Sequence, residues 1–480
     1  MDYTNLTLLE ASNLLKEGKV KSTTLVEQCF KQIEKTKHLN ALNSVYKDLA
    51  LEQAKKIDKE REQGKVLQAL AGVPIVVKDN ISVKGMKNTC SSRILSNYTA
   101  VYDATVIKKL QQAGAIVIAK ANMDEFAMGS SNENSAFGPV LNPVNEEYVP
   151  GGSSGGSAAS VKANQCYASL GTDTGGSVRQ PASYCGLVGL KPTYGLVSRY
   201  GVVSFGSSFD QVGTFTKSVK DSAIMLNTLA GHDELESTSA KKQPQDYLKA
   251  IKDNIKGLKI GISPEYFNLG MDKEVKQNIE KAIDFFKENG AEVVDVHLPD
   301  IKASLAVYYV LSSAEVASNL GRFDGIRYGV RQVGKDLTNI YTNTRTEGFG
   351  KEVKRRIMLG NFVLSSGYNE AYYKKSEDVR TVLKEEFVKA FDSCDVILTP
   401  TSPTPAFKLG EKTKDHIKMY LNDVYTVAVN TIGIPAISVP CGENSEKMPI
   451  GLQLIANHFN EATLFNIANY FENNFNKEAK

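Results

Sequence analysis

Two clusters of glycine and serine, residues 150–160 and 171–181, contain the residue types from which a nucleophilic site can be built. In the second cluster Ser177 follows two glycines, so its hydroxyl can lie on a sharp turn surrounded by unhindered backbone N–H groups. Such groups can stabilise the oxyanion of a tetrahedral intermediate, and one donor contributes about 3–4 kcal/mol. The N–H groups concerned belong to Thr174, Gly175 and Gly176. The pattern suits a serine nucleophile, although a tight turn with a capping serine is about equally compatible with it.

The first cluster, residues 150–160, has three further interpretations. A flexible linker fits poorly, because the run is short and lies inside a pattern of strands and helices. A phosphate-binding loop is a fair rival, but the lysine of G-x-x-x-x-G-K-[ST] is missing. Residues 151–155 match G-x-S-x-G, the nucleophile elbow that needs a histidine base. The five histidines lie in no segment typical of a catalytic loop, although His458 follows a strand, so we interpret the elbow as a chance match: His38, His232, His297, His416 and His458.

A serine without a histidine needs another base, and a neutral Lys78 is one. It ends a short apolar run, residues 73–78, that is typical of a buried strand bounded by Gly72 and by Asp79 and Asn80. The ordinary pKa of a lysine is about 10.4, so burial must lower it by about three units, at a cost of about 4 kcal/mol. A lysine at a strand end more often reaches solvent, and sequence spacing alone does not select Lys78.

Strands and helices alternate along the chain. Apolar runs predict strands at residues 73–78, 116–119, 258–262, 293–296, 396–398, 436–439 and 451–454. Helical periodicity predicts helices at residues 105–112, 275–290, 303–320 and 351–392. This alternation predicts an α/β fold. We expect a single large domain over residues 1–480, with a central mixed, largely parallel sheet covered by helices on both faces, and with residues 1–65 as a helical portion packed on it.

Composition narrows the class of protein. The fractions of hydrophobic (42%) and charged (23%) residues are ordinary for a globular chain, and a net charge of +3 argues against a surface that clamps nucleic acid through many phosphates. The polar N-terminus and the lack of an apolar run of about 20 residues indicate neither a secretory signal nor a membrane span. Six cysteines without a C-x-x-C pair indicate reduced thiols, and no pattern of metal ligands occurs. We expect a cytoplasmic protein without a metal site.

Both clusters, together with the strand lysine, resemble the amidase-signature family. The matching segments, in the family's order, are residues 76–80, 151–159 and 173–177. The resemblance implies a Ser–cis-Ser–Lys triad. In it Ser177 is the nucleophile, Ser153 is the bridging serine at a non-proline cis peptide, and Lys78 is the base. Ser153 then relays a proton from Ser177 to neutral Lys78, an acyl-enzyme forms, the amine leaves, and water releases the acid.

Further segments resemble one branch of that family, the A subunits of glutamyl-tRNA(Gln)/aspartyl-tRNA(Asn) amidotransferases. They are residues 186–195, 197–201, 208–211, 322–329 and 354–360. This resemblance implies glutamine as the substrate, with Arg356 holding its α-carboxylate and Asp423 its α-ammonium group. A guanidinium fork and a carboxylate are groups that a free amino acid needs and that a fatty or aryl amide does not.

The same resemblance implies a division of labour in a heterotrimer. This chain would hydrolyse glutamine, and ammonia would pass through a protected channel to a B subunit. The B subunit would use ATP and Mg²⁺ to amidate Glu-tRNA(Gln), or Asp-tRNA(Asn), while a C subunit braces the pair. No cofactor is expected on this chain, and its near-neutral charge suits a tRNA-binding surface elsewhere in the complex. Three alternatives stay open: a stand-alone amidase-signature hydrolase of another small amide, an inactive scaffold, and a histidine-dependent esterase.

Overall fold

One eleven-stranded sheet runs through the computed structural model, which describes residues 1–252, 254–268, 270–413 and 415–478. The strands are β1 (Leu42–Val45), β2 (Pro74–Lys78), β3 (Ile116–Ala121), β4 (Ala168–Asp173), β5 (Val188–Lys191), β6 (Gln211–Thr216), β7 (Lys259–Ile262), β8 (Glu292–Asp295), β9 (Val396–Pro400), β10 (Ala436–Glu443) and β11 (Pro449–Ala456). Their spatial order is β1-β3-β2-β4-β6-β5-β10-β11-β9-β7-β8. The predicted α/β fold with a mixed sheet is confirmed.

The sheet is not largely parallel, contrary to the prediction from the sequence. Parallel pairing is confined to β3-β2-β4 near one end and β9-β7-β8 at the other. Every other neighbouring pair in the described chain is antiparallel, including the central run from β4 through β6, β5, β10 and β11 to β9. Connectivity explains one of these pairs, because β10 and β11 are joined by a short hairpin, which can link only antiparallel strands.

Fifteen α-helices flank this sheet in the described residues. They are α1 (Leu8–Lys16), α2 (Ser22–Lys35), α3 (Lys47–Glu62), α4 (Thr105–Gln112), α5 (Gly155–Lys162), α6 (Arg179–Cys185), α7 (Val219–Leu229), α8 (Lys273–Glu288), α9 (Ile301–Asn319), α10 (Leu337–Gly348), α11 (Lys351–Leu364), α12 (Lys375–Ala390), α13 (His416–Leu421), α14 (Val427–Ile432) and α15 (Glu461–Glu478). Every residue of β2, β3, β4, β6 and β11 is buried, so helices cover both faces of the sheet there. No described helix is long and apolar enough to cross a membrane.

The N-terminal portion, residues 1–65, contains the three helices α1, α2 and α3 and also β1, which adds an antiparallel edge strand next to β3. Two buried carboxylates attach its helices. Asp221 of α7 accepts hydrogen bonds from the first N–H groups of α1, and Asp58 of α3 accepts them from the first N–H groups of α2. Both carboxylates therefore satisfy donors that a helix N-terminus leaves free.

The predicted helix at 351–392 is two helices. Helix α11 ends at Leu364, and a π-helical segment, Asn369–Lys374, precedes α12. Strands β4, β5 and β6 and helix α10 were not predicted from the sequence. In β4 and β6 glycines and threonines interrupt the apolar run, so their burial comes from their central place in the sheet and leaves no periodic signal.

Helix α11 packs closely on α9, and Gly360 is one point where the two backbones approach each other. A Cβ atom at this position would overlap the carbonyl oxygen of Ser313 on α9. We expect Gly360→Ala to lower the free energy of unfolding by about 1–3 kcal/mol, as overpacking does. Urea denaturation checks this, with Gly321→Ala as the control, since a Cβ at Gly321 meets nothing within 4 Å. Equal stability of the two variants would contradict the close contact.

Candidate active site

Three parallel strands end at one edge of the sheet, and their ends carry the predicted catalytic segments. Lys78 is the last residue of β2, Asp124 follows β3, and Asp173 ends β4 before the turn that carries Ser177. Asp210 precedes β6, which runs antiparallel to β4 and therefore begins at the same edge. The carboxyl ends of parallel strands are where α/β proteins build their sites.

Lys78 is fully buried, and hydroxyl groups surround its amine. Nζ lies 2.8 Å from Ser153 Oγ, 2.7 Å from Ser154 Oγ and 2.9 Å from the hydroxyl of Thr172. A neutral lysine has two N–H donors and one lone pair. Ser154 and Thr172 can take the donors, which leaves the lone pair for the proton of Ser153. The alternative of a strand-end lysine in solvent is therefore wrong.

Burial lowers the pKa of Lys78 to about 7, because removing an ammonium group from water disfavours its charged form. Nearby carboxylates oppose this change, and Asp124 is the strongest of them, followed by Asp173 and Asp210. The amine is therefore substantially neutral just above pH 7, as a general base must be.

The peptide bond between Gly152 and Ser153 is cis, as the resemblance implies. Both sides of this bond are held in place. The N–H of Gly152 donates to Gln180 on α6 at 3.0 Å, and the carbonyl of Ser153 accepts from the N–H of Asp124 at 3.1 Å. Ser153 Oγ is thereby fixed against Lys78.

Ser177 lies in a turn wrapped around the carboxylate of Asp173. That carboxylate accepts the N–H groups of Gly176 at 2.8 Å and Val178 at 3.1 Å, and it pairs with Arg179 at 3.0 Å. Burial would raise the pKa of Asp173, but Arg179 holds it well below its usual range. The turn is thus built on a permanently charged carboxylate.

Ser177 keeps 9% of its surface exposed, and its hydroxyl makes no hydrogen bond to any described residue, Ser153 included. Lys78 and Ser153 are thus in contact, whereas the last link of the predicted relay is not formed in this conformation. Catalytic hydrogen bonds are often long until substrate binds. The free hydroxyl is the one open to an incoming carbonyl group.

Of the predicted oxyanion donors, the N–H of Gly176 is taken by Asp173. Within the described chain, the N–H groups of the other two predicted donors, Thr174 and Gly175, donate to no group, and neither does that of Ser177. Glycine is required at both positions 175 and 176, since a Cβ atom there would overlap Tyr308 and Thr426 respectively. The turn therefore leaves unused backbone donors beside Ser177.

Arg356 is buried on α11 against two aromatic rings that stack on each other. Its guanidinium carbon lies 4.6 Å from the ring centre of Tyr309 and 4.9 Å from that of Tyr420. Nε donates to Glu352 at 2.8 Å, while Nη1 is buried without a partner among the described residues. Burying a guanidinium nitrogen without a hydrogen-bond partner costs free energy, unless a bound ligand supplies that partner.

Asp423 is the second predicted substrate residue, and it is also buried. Burial raises its pKa to about 7, although the hydroxyl of Ser130, which donates to it, opposes the rise. Ser130 and Arg356 both line a cavity of about 320 Å³, which adjoins a larger one of about 630 Å³ with Glu133, Asn134, Lys351 and Glu352 in common. Arg356 lies in the wall of this space, and Ser130 connects it to Asp423, whereas Lys78, Ser153 and Ser177 line neither of the two cavities.

His458, the histidine named above as following a strand, takes no part in the contacts of Lys78 and Ser153. Its Nε2 donates to the backbone carbonyl of Ile432 at 3.2 Å, and Ser153, the serine of the G-x-S-x-G match, contacts Lys78 instead. The geometry therefore agrees with the interpretation of the nucleophile elbow as a chance match.

Several residues of the site were missed from the sequence. Ser154 and Thr172 lie in the two clusters, so their place beside the strand lysine could have been considered. Ser130, Asp124, Tyr309 and Tyr420 gave no signal, because they come from loops and helices far apart in the chain.

A family model described as Amidase matches residues 24–465. The A subunit of glutamyl-tRNA(Gln) amidotransferase from Caldanaerobacter subterraneus subsp. tengcongensis is 51% identical, over 100% of this chain and 98% of its own. The crystal structure of the protein of the same name from Thermotoga maritima is 42% identical, covers 99% and 96% of the two chains, and superimposes with a TM-score of 0.81. The peptide amidase of Stenotrophomonas maltophilia, at 27% identity and 98% and 97% coverage, gives a TM-score of 0.83.

Proposed function

This chain belongs to the amidase family, and on that premise we propose that it is the glutamine-hydrolysing component of a tRNA-dependent amidotransferase. One observation supports glutamine as the substrate most strongly. The unpaired Nη1 of Arg356 is buried at the wall of a small cavity, close to Asp423. A guanidinium and a carboxylate together match the two charged groups of a free amino acid. Relatives that bear the name of the amidotransferase, about half identical over the whole chain, support the same choice.

In the proposed reaction Ser177 Oγ attacks the side-chain amide carbon of glutamine. Its proton passes to Ser153 Oγ, which gives its own proton to the lone pair of Lys78 Nζ. The unused N–H groups of Gly175 and Ser177 are donors for the oxyanion, in place of Gly176. Return of the proton to the amide nitrogen expels ammonia and leaves a γ-glutamyl ester on Ser177. Water then attacks the ester by the same relay and releases glutamate.

The released ammonia would be used on partner subunits. We propose a heterotrimer in which a B subunit uses ATP and Mg²⁺ to amidate Glu-tRNA(Gln), a C subunit braces the pair, and this chain holds no cofactor. The names of the relatives support an amidotransferase complex. A cytoplasmic location stays a prediction. We also propose that residues 1–480 form a single domain, because strands from residue 42 to residue 456 share one sheet.

The proposal is tested by measuring glutamate formed from glutamine by the full chain, alone and with B and C subunits. We expect glutamate in equal amount to ammonia, and a higher rate in the complex. A complex that binds Glu-tRNA(Gln) but forms no glutamate would contradict the proposal. Hydrolysis of other small amides but not of glutamine would establish the stand-alone amidase instead.

Substitution of Arg356 tests the substrate assignment. We expect Arg356→Lys to raise KM for glutamine by about 10- to 100-fold, because a lysine loses both the forked geometry and the stacking on the rings. The change in kcat is expected to be smaller. Steady-state kinetics measures both constants.

Arg380→Lys is a matched control for this variant. Arg380 also stacks on an aromatic ring, that of Phe209 at 4.6 Å, but it lines neither cavity. An unchanged KM in Arg356→Lys, or the same increase in both variants, would count against a role of Arg356 in binding glutamine.

A further inference from the structure

Glu352 is a buried carboxylate near the start of α11, and neighbouring side chains donate to both of its oxygens. Oε1 accepts the Nε–H of Arg356 at 2.8 Å and the hydroxyl of Tyr420 at 3.1 Å. Oε2 accepts a hydrogen bond from the guanidinium of Arg355. A buried carboxylate needs paired charges and hydrogen bonds to offset its loss of hydration. The two arginines and the tyrosine supply them, so donors of the chain itself occupy both oxygens of Glu352.

The contact with Glu352 orients the guanidinium of Arg356. The rings of Tyr309 and Tyr420 lie 4.6 and 4.9 Å from the guanidinium carbon. Stacking on a ring restrains the plane of a guanidinium, but it does not stop the group from turning within that plane. The bond from Nε to Glu352 prevents this turning. Because the guanidinium is rigid, the direction of Nη1, which has no partner among the described residues, is then fixed as well.

Glu352 also connects the two residues assigned to glutamine. Tyr420 lies on α13, stacks on Tyr309 of α9 and donates its hydroxyl to Glu352. The backbone carbonyl of Tyr420 accepts the N–H of Asp423 at 3.2 Å. Through these contacts Glu352 fixes Arg356 on one helix relative to the segment that carries Asp423. The separation of the two charged groups of a bound amino acid is set by its covalent structure, so their binding groups must be held at a matching distance.

We propose that Glu352 is a positioning residue for glutamine binding, which acts by orienting Arg356. This inference rests on the proposed function, in which Arg356 holds the α-carboxylate of glutamine. Glu352 lines both cavities, so a direct contact with the α-ammonium group is the alternative. The occupied oxygens favour the positioning role. A positioning residue has an effect only while the group that it positions is present, and this property distinguishes the two roles.

The test is a double-mutant cycle of Glu352→Ala and Arg356→Met. Glutamate formation from glutamine is measured with the full chain in the presence of the B and C subunits. In the wild-type background we expect Glu352→Ala to lower kcat/KM by about tenfold, mainly through KM, because a hydrogen bond to a charged group is lost. In the Arg356→Met background we expect the same substitution to lower kcat/KM by about twofold or less, because no guanidinium remains to be oriented.

Glu377→Ala is the matched control. Glu377 lies 3.8 Å from Arg380, which likewise stacks on an aromatic ring, and neither residue lines the two cavities. We expect this control to keep the wild-type kcat/KM.

An unchanged kcat/KM in Glu352→Ala overturns the proposal, and so does an equal loss in both backgrounds, which would indicate direct contact or a purely structural role. If Glu352→Ala does not fold, Glu352→Gln is measured against the same criterion, since its one carbonyl oxygen cannot take the place of both carboxylate oxygens. An unchanged kcat/KM in Arg356→Met, or a wild type that forms no glutamate, contradicts the proposed function itself, and this inference falls with it.

Discussion

Replacement of Ser177 by alanine is expected to lower kcat for glutamine hydrolysis by about 10⁴-fold or more, with no loss of stability. The rate falls because the neighbouring hydroxyls cannot substitute for it. Ser153 and Ser154 are both fully buried and both occupied by Lys78. Stability is retained because the hydroxyl of Ser177 has no hydrogen bond to lose within the described chain.

The matched control is Ser183→Ala, a serine of similar burial farther along the same segment, on α6. Its glutaminase rate is expected to match that of wild type. Glutamate production by Ser177→Ala within tenfold of the wild-type rate would contradict the nucleophile assignment, and it would leave the histidine-dependent esterase to be tested with His458→Ala.

Replacement of Lys78 by methionine is expected to lower kcat by about 10³- to 10⁴-fold, since the relay then has no acceptor for the proton. Methionine fills nearly the same volume. The free energy of unfolding is not expected to fall much, because replacing a buried ionisable group by a packed apolar one is often neutral. Activity is measured as glutamate formed, and folding by thermal denaturation.

The chain offers a close control in Lys191, a second fully buried lysine. It ends β5, and burial lowers its pKa to about 7 as well, yet among the described residues its amine donates to the carbonyl of Pro192 alone. We expect Lys191→Met to keep the wild-type rate. Equal loss of activity in both variants would mean that buried lysines support the fold rather than the reaction.

A residue of this site can be predicted from the sequence when the short segment around it has a distinctive composition. Lys78, Ser153 and Ser177 each lie in a short segment whose residue types are distinctive, so a resemblance of motifs could identify them. The alternation of apolar runs and amphipathic helices was enough for the α/β class. Strand direction was not predictable, because it depends on which strands become neighbours, and β10 and β11 lie in the middle of the sheet although they come near the end of the chain.

The hydrogen bonds around Lys78, Ser153 and Ser177 could not be predicted from the sequence, because they depend on how the chain folds back on itself. The N–H of Gly176 is taken by Asp173 because the turn folds back on the end of β4, and glycine spacing does not reveal such a contact. Asp124 lies in a loop without periodicity, and only the packing of three strand ends brings it to Ser153. The pKa of Lys78 depends first on its burial, which also becomes visible only in three dimensions.

The most direct test of the mechanism is the mass of the enzyme during turnover. Full-length protein is mixed with glutamine, quenched in acid within the first turnovers, digested and analysed by mass spectrometry. We expect one γ-glutamyl group on the peptide that contains Ser177, absent from Ser177→Ala. Release of ammonia with no adduct on this serine, or with the adduct on another residue, would contradict the account.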